Sequence, residues 1–294
     1  MNLRLLRCFI VVAEELHFGR AAERLHMEQS PLSRAIRRLE SELGVVLFER
    51  ANRGIRLTGA GQIFLDGAHR VILTFEQAKD NAKAAAAGYH GTLRIALSDR
   101  IARTRLTALL ALCREEDPEL EIRLFETRLA HQLKGLRDDL YDAGFALSND
   151  VGDGIIAEAI WQDALVVVMP SRHPLLAHKH VPLHDVLNHP LVLCDVEACK
   201  GCSRQVEQIL CSSETQPIVA ERVTTHDLML ALVAAGYGVG FSSAAHLGAC
   251  HYADVVSRPL SGCSSVLTTY LLRPDAQLSD RLHGFIGRAG RIGP

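Results

Sequence analysis

No run of eighteen apolar residues occurs in the 294-residue chain, so no segment reads as a membrane span. No secretory leader is expected. Residues 1–14 contain Glu14 and two arginines, and no small-residue cleavage site follows an apolar run. A charge of one sign is missing as well: 32 basic residues face 34 acidic ones, which excludes a globally basic nucleic-acid coat. Catalytic signatures are lacking too. There is no His-Glu-x-x-His, no Gly-x-Ser-x-Gly and no Walker loop, so no catalytic residues, no resident cofactor and no enzyme are expected. Eight cysteines without a secretion signal read as reduced thiols, not as a disulfide framework.

What is present suffices for two or three domains. Hydrophobic residues make up 48% and charged residues 22%, enough for a sizeable core. The charge is unevenly placed. Residues 1–60 carry ten basic and seven acidic side chains, so the remainder holds 22 against 27. The basic excess therefore sits at the front.

In that front third, Leu3, Leu6, Ile10 and Ala13 recur at spacings of three, four and three, which predicts a helix over 3–14. A second short helix is expected over 18–25, with Ala21, Ala22 and Leu25 inward. After a break at 26–29, Ser30-Pro31 reads as N-cap and first helical residue of a third helix. Leu32, Ile36, Leu39 and Leu43 line one of its faces. Ser33, Arg34, Arg37 and Arg38 occupy the other, and Gly44 stops it. Two short helices around a tight turn, the second bearing arginines, form a helix-turn-helix pattern suited to the major groove. Gln29, Ser33 and Arg34 are placed to read bases, and Arg37 and Arg38 to meet phosphates. Residues 47–57 then suggest two short strands around an Asn/Gly turn, a wing that brings Arg53 and Arg56 to the backbone. The plainer alternative is a small helical domain with solvated arginines.

From Thr58 a long helix is expected. Phe64, Ala68, Val71, Phe75, Ala78, Ala82 and Ala85 follow 4-3 spacing over three repeats, a coiled-coil seam. About 28 residues at 1.5 Å each span about 42 Å. The natural partner is a second copy, holding two reading heads on one pseudo-palindromic duplex. The alternative is packing on its own domain.

Residues 1–62 resemble the N-terminal domain of LysR-type bacterial transcription regulators. The resemblance rests on Ala21-Ala22-Glu23-Arg24-Leu25, Gln29-Ser30-Pro31-Leu32-Ser33-Arg34-Ala35-Ile36, Leu39-Glu40-Ser41-Glu42-Leu43-Gly44, Leu47-Phe48-Glu49-Arg50 and Leu57-Thr58-Gly59-Ala60-Gly61. It departs slightly at Glu28-Gln29-Ser30-Pro31, where the family usually has Ser-Gln-Pro. It implies a winged helix-turn-helix, a dimerising linker helix and an α/β effector domain resembling periplasmic binding proteins. It also implies tetramers built as dimers of dimers, with RNA polymerase as a possible further partner, and a cytoplasmic location. The expected division is 1–58 for the DNA-binding domain, 59–87 for the dimerisation helix, 88–91 for a hinge and 92–294 for the regulatory domain.

Beyond the hinge, strands and helices alternate, giving α/β. Strands are expected at 93–97, 120–125, 142–147, 165–169, 191–194, 218–220, 239–241 and 266–272. Helices are expected at 103–116, 130–139, 203–210, 226–235 and 278–288. The chain is expected to cross near 160–163 and return near 268, making subdomain I 92–161 with 268–294 and subdomain II 162–267. A ligand would then lie between them. By resemblance, the cleft residues are Ser98, Asp99, Arg100, Ile101, Thr127, Arg128, Gly201, Cys202, Ser203, Thr225 and His226. Helix N-termini there, with Arg100, Arg128, Lys200 and Arg204, point to a small organic anion. Arg100 departs from the small polar residue often found there. Surface arginines around a cleft for something neutral are the alternative.

Cys194, Cys199, Cys202 and Cys211 fall within 18 residues. Cys199-x-x-Cys202 has redox or metal spacing, so a thiol-redox or soft-metal response through Cys199, Cys202 and Cys211 stands as a second reading beside packed, incidental thiols. The main reading assigns no metal. His173, His178, His180, His184 and His189 are interleaved with prolines and read as solvated loop residues. Gly236-x-Gly238-x-Gly240 follows a helix and reads as a helix stop and strand start.

Overall fold

The computed structural model describes residues 2–51, 54–98, 101–196, 199–211, 213, 215–249, 252, 254–261 and 265–293. They form two compact units, Met1–Ala86 and Ala87–Pro294.

The first unit begins with α1 (Leu3–Glu15), α2 (Phe18–Arg24) and α3 (Gln29–Leu43). Asn2 caps α1 by accepting from the Leu5 amide at 3.0 Å. His17 caps α2 through Nδ1, which accepts from the Gly19 and Arg20 amides. The expectation that Ser30 caps the third helix is corrected. The helix starts two residues earlier than that, Glu28 stands at the cap without a side-chain bond, and Ser30 lies exposed inside the first turn. Gly44, at φ +72°, ends α3 in the left-handed region, where a side chain would be strained. Leu32, Ile36 and Leu39 are buried from one face of α3, against Phe9, whose ring lies 5.4 Å from Phe48 and 5.1 Å from Phe64.

The wing is β1 (Phe48–Ala51) antiparallel to β2 (Gly54–Leu57). Its root is Leu47. The Glu40 carboxylate accepts from the Leu47 and Phe48 amides at 2.8 and 3.2 Å. The Thr58 amide donates to the Leu47 carbonyl at 2.9 Å, and Thr58 Oγ1 accepts from the Gly61 amide, starting α4 (Gly59–Ala86). The expected seam along α4 divides. Phe64 and Ala68 pack into the unit's own core beside α1, so this end is intramolecular. Val71 and Phe75 are each 45% exposed, and Ala78, Ala82 and Ala85 are exposed. Arg7 ties α1 to α4 through Glu76 at 2.6 Å.

In the second unit Gly91, the last residue of the expected hinge, is the first residue of β3 (Gly91–Leu97). There follow α5 (Arg103–Glu116), β4 (Leu120–Glu126), α6 (Leu129–Arg137) and β5 (Ala143–Ala146). Strand β3 pairs in parallel with both β4 and β5, as strands joined through helical crossovers do. Next comes β6 (Ile155–Pro170), sixteen residues long, which spans about 50 Å at strand rise. The strand expected at 165–169 is thus only its second half. Its first half pairs with β12 (Val266–Pro274) and its second half with β10 (Gly240–Ser243) and β11 (Val255–Ser261). Between these lie β7 (Val181–Pro182), α7 (Leu183–Leu187), β8 (Leu191–Cys194), α8 (Lys200–Leu210), β9 (Val219–Val223), α9 (His226–Ala234) and α10 (Ala244–Ala249); α11 (Asp280–Arg291) closes the chain. The eight-stranded sheet runs β4-β3-β5-β12-β6-β11-β7 with β10 also on β6, and β8 pairs with β9 separately.

Two lobes result, each with apolar packing of its own. One is built around Phe145, stacked on Trp161 at 4.7 Å, and Phe285. The other is built around Val167, Met169, Leu191 and Val239. Gly236, at φ +86°, ends α9, and Gly240 opens β10, as expected of a helix stop and strand start.

The Gly61 position makes a prediction. A Cβ there would sit 2.2 Å from the Leu47 carbonyl oxygen. Gly61→Ala should lower the stability of the first unit by about 1–3 kcal/mol, read as a lower urea midpoint.

Candidate functional site

The exposed side of α3 presents Gln29, Ser30, Arg34, Arg37 and Arg38, with Ser33 half-buried. The helical period puts Ser30, Arg34 and Arg37 on one stripe, opposite Leu32, Ile36 and Leu39. Two of the cations are already engaged. Arg38 pairs with Glu42 at 2.8 Å, one turn away, and Arg56 pairs with Glu49 across the wing at 2.9 Å. Arg34 and Arg37 make no ion pair among the described residues. Arg53 lies outside the described residues.

Between the lobes of the second unit, two cavities meet at His246. One is lined by Ile101, Thr127, Arg103, Glu126 and His246. The other is lined by Cys194, Cys199, Cys202, His226 and His246, with Leu147 and Leu267 from the crossing region closing it. Ile101, Thr127, Cys202 and His226, from four separate stretches of sequence, are thus brought to one cleft. Gly201 lines a larger groove on the neighbouring side of α8, with Arg204 and Thr268.

The remaining expected residues divide. Arg100 lies outside the described residues. Ser98 is buried to 1% beneath the cleft. Ser203 is turned inward, its hydroxyl donating to the Cys194 and Asp195 carbonyls at 3.1 and 3.3 Å, so it is not a cleft donor. Thr225 is occupied in capping α9, accepting from the Leu228 amide. Arg128 is exposed at the N-cap of α6. Helix α8 begins three residues earlier than expected, so Gly201, Cys202 and Ser203 form its first turn. Three helices start at the cleft without a side-chain cap among the described residues: α5 after Ala102, α6 after Arg128 and α8 after Cys199. A helix start of this kind is suited to an anion.

Gln205 and His246 were not found from sequence. Gln205 Nε2 donates to the Leu147 and Thr268 carbonyls at 2.5 and 2.8 Å, and its Oε1 accepts from the Thr268 amide at 2.8 Å. It fastens α8 to the crossing strands. Arg204 pairs with Asp150 of the other lobe at 2.6 Å, which takes one expected cation out of the cleft. His246 stands alone in sequence, on a six-residue helix that lacks a long apolar period.

Residues 3–62 match the family "Bacterial regulatory helix-turn-helix protein, lysR family", and residues 86–291 match "LysR substrate binding domain". The chain is 32% identical over 241 residues to the HTH-type transcriptional regulator AlsR of Bacillus subtilis, covering 82% of this chain and 80% of that one. The chain belongs to the LysR family of transcriptional regulators.

Its fold is similar to that of full-length CbnR in complex with its target DNA, at 26% identity, TM-score 0.80 and full coverage of both chains. It is also similar to a cysteine-to-serine variant of OxyR from Corynebacterium glutamicum with hydrogen peroxide bound, at 25% identity and TM-score 0.63, covering 99% of this chain and 92% of that one. LysR regulators bind DNA and small effectors and form oligomers, and the family is one of regulators, not enzymes. No described helix is long and apolar enough to cross a membrane.

For this LysR-family chain the structure separates the expected thiols. Cys199 and Cys202 share the inner cavity, whereas Cys211 is exposed at the C-cap of α8. Nine helical steps put the Cys202 and Cys211 Cα atoms about 13 Å apart, beyond disulfide reach of about 7 Å unless α8 unwinds. Cys8 and Cys113 are buried, and burial pushes both thiols up from their ordinary value.

In the histidine stretch His178, His180 and His184 are exposed, whereas His173 and His189 are half-buried. His173 packs edge-on to His189 at 4.5 Å, and its Nδ1 accepts from the Leu175 amide. Burial, then the His189 neighbour, lowers its pKa from 6.5. The unfolded chain therefore takes up a proton more readily than the folded one. This contribution to stability is present above about pH 6.5 and is lost as pH falls through the folded value. Between about pH 7.5 and about 5.5, Tm should fall more in the wild type than in His173→Asn, which keeps a capping acceptor but does not titrate.

Proposed function

We propose that this LysR-family regulator reads a pseudo-palindromic operator with the α3 helices of two copies, and that a small organic anion in the lobe cleft sets its output. The observation that carries the first half is the amphipathic α3. Its apolar face is buried, and Arg34 and Arg37 stand exposed beside Gln29 and Ser33. A helix of this kind fits the major groove, with Gln and Arg near its start reaching base edges. CbnR, similar over its full length, was solved with its target DNA, which supports double-stranded DNA as the partner. In this reading Gln29, Ser33 and Arg34 read bases. Ser30, Arg37, Arg38, Arg53 and Arg56 hold the backbone.

The exposed half of the α4 seam, Val71 and Phe75 with the alanines beyond, supports pairing with a second copy. A dimer of such dimers would make the tetramer, and RNA polymerase would be met on the DNA in the cytoplasm. The functional division follows: head 1–58, dimerisation helix 59–87, connection 88–91 and regulatory domain 92–294, with lobes 92–161 plus 268–294 and 162–267.

Three uncapped helix starts around the cleft support an anion as effector. Binding across both lobes would change the angle between them and hence the spacing of the reading heads. The thiol-redox alternative through Cys199, Cys202 and Cys211 has weaker support, because α8 holds Cys211 away from the other two.

In gel shifts, Arg34→Ala should weaken operator binding by about 1–3 kcal/mol and relax specificity, while Arg53→Ala should weaken all sequences evenly. Equal loss on operator and random DNA for Arg34→Ala contradicts its reading role. Titration with aromatic and aliphatic carboxylates should raise Tm, and Thr127→Val should reduce the response. Absence of any shift across the series overturns the anion reading.

A further inference from the structure

The inner cavity holds a set of groups whose chemistry an organic anion does not call for. His226 and His246 are buried to 8% and 4%, and their rings meet edge to face at 4.6 Å and 82°. One ligand atom each from His226, Asp227 and His246 lies within 4.8 Å of the others. The thiols of Cys194, Cys199 and Cys202 line the same cavity. Two imidazoles and three cysteines lining one cavity, with the Asp227 carboxylate beside the imidazoles, make an unusual wall for an organic ligand. They are the donor set of a borderline-soft divalent ion.

The supporting structure holds these donors in place. Thr225 caps α9, so His226 and Asp227 occupy its first two positions with fixed backbone. Ser243 Oγ accepts from the His246 amide at 3.1 Å and fixes the start of α10 in the same way. The Tyr252 hydroxyl donates to Asp227 Oδ1 at 3.2 Å and orients the carboxylate, as outer partners of metal ligands do. Cys199 is the N-cap of α8 and Cys202 sits in its first turn. Zinc bonds of about 2.1 Å require ligand atoms about 3.4 Å apart, so modest side-chain rotation brings the three donors into range.

We propose that His226, Asp227 and His246 bind a divalent transition-metal ion of the zinc class, with a thiolate of the Cys199–Cys202 pair completing its coordination. Binding uses neutral imidazoles and releases the thiol proton to solvent, so affinity rises with pH over the neutral range. The site joins α8, α9 and α10, and His246 also borders the cavity of Ile101 and Thr127. A cation there adds positive charge next to the position proposed for an anion. The inference goes beyond the anion reading and does not depend on it.

The test uses the untagged, reduced, full-length chain, stripped with a chelator, equilibrated with Zn²⁺ and desalted. Elemental analysis should find about one zinc per chain, and zinc should raise Tm. Asp227→Asn, exposed and so without packing cost, and His246→Gln, similar in size, should each weaken zinc binding about ten-fold or more. Cys211→Ser, at the far end of α8, should bind as the wild type does. Circular dichroism verifies that each variant is folded. With Co²⁺ in place of zinc, a thiolate charge-transfer band should appear in the near ultraviolet and vanish in the Cys199→Ser, Cys202→Ser double variant. Failure to retain zinc overturns the proposal, as does equal zinc content in Asp227→Asn, His246→Gln and wild type. Loss of zinc in the cysteine variant alone also overturns it. Carboxylate titrations on the stripped protein keep the two readings separate.

Discussion

The regulatory half depends on one ladder. Strands β6 and β12 pair antiparallel from Ala164 with Val266 to Ile155 with Pro274, and β6 then continues into the other lobe, where β10 and β11 flank it. Because two strands and little else carry the backbone across, the lobes can keep separate cores and still leave a cleft between them. The crossing is braced by polar contacts: Arg105 on Asp163 at 2.9 Å, and Gln205 on Leu147 and Thr268. An Asp buried to 7% requires such a partner, since an uncompensated charge there would be costly. The cleft is thus a consequence of where pairing changes hands, between Ala164 and Leu165.

The DNA-reading unit has a smaller constraint of the same kind. The backbone of Leu47 is satisfied from both sides, by Glu40 of α3 and by Thr58 at the start of α4. That places the wing and the long helix relative to the reading helix without a large core. The same economy accounts for the division of α4. Its first turns pack on Phe9 and α1, and only the later turns keep an exposed apolar stripe.

Helices were the readily legible part, because their periodicity is local. Residues 3–14, 18–25 and 103–116 were recognisable from spacing and agree with α1, α2 and α5 to within a residue or so. Strand β11 was not, since Pro259 interrupts its pattern and only pairing with β6 and β7 makes it a strand. The first half of β6 was missed because its polar and apolar residues alternate weakly. Within the site, Cys202, His226, Ile101 and Thr127 were named through the family resemblance, and they line two cavities that have His246 in common. Ser203 was named and turns inward, because its hydroxyl satisfies two carbonyls at the end of β8.

The amino-acid order alone determined the family, the helix-turn-helix, the arginine-bearing face of α3 and the alternation of strands and helices, all of which are properties of residues near one another in the chain. Tertiary structure decided which donors meet. His246 reaches His226 and the cysteines through β10 pairing with β6, across a sequence separation that no local pattern encodes. It also decided that Cys211 does not join them, because a rigid eleven-residue helix stands between.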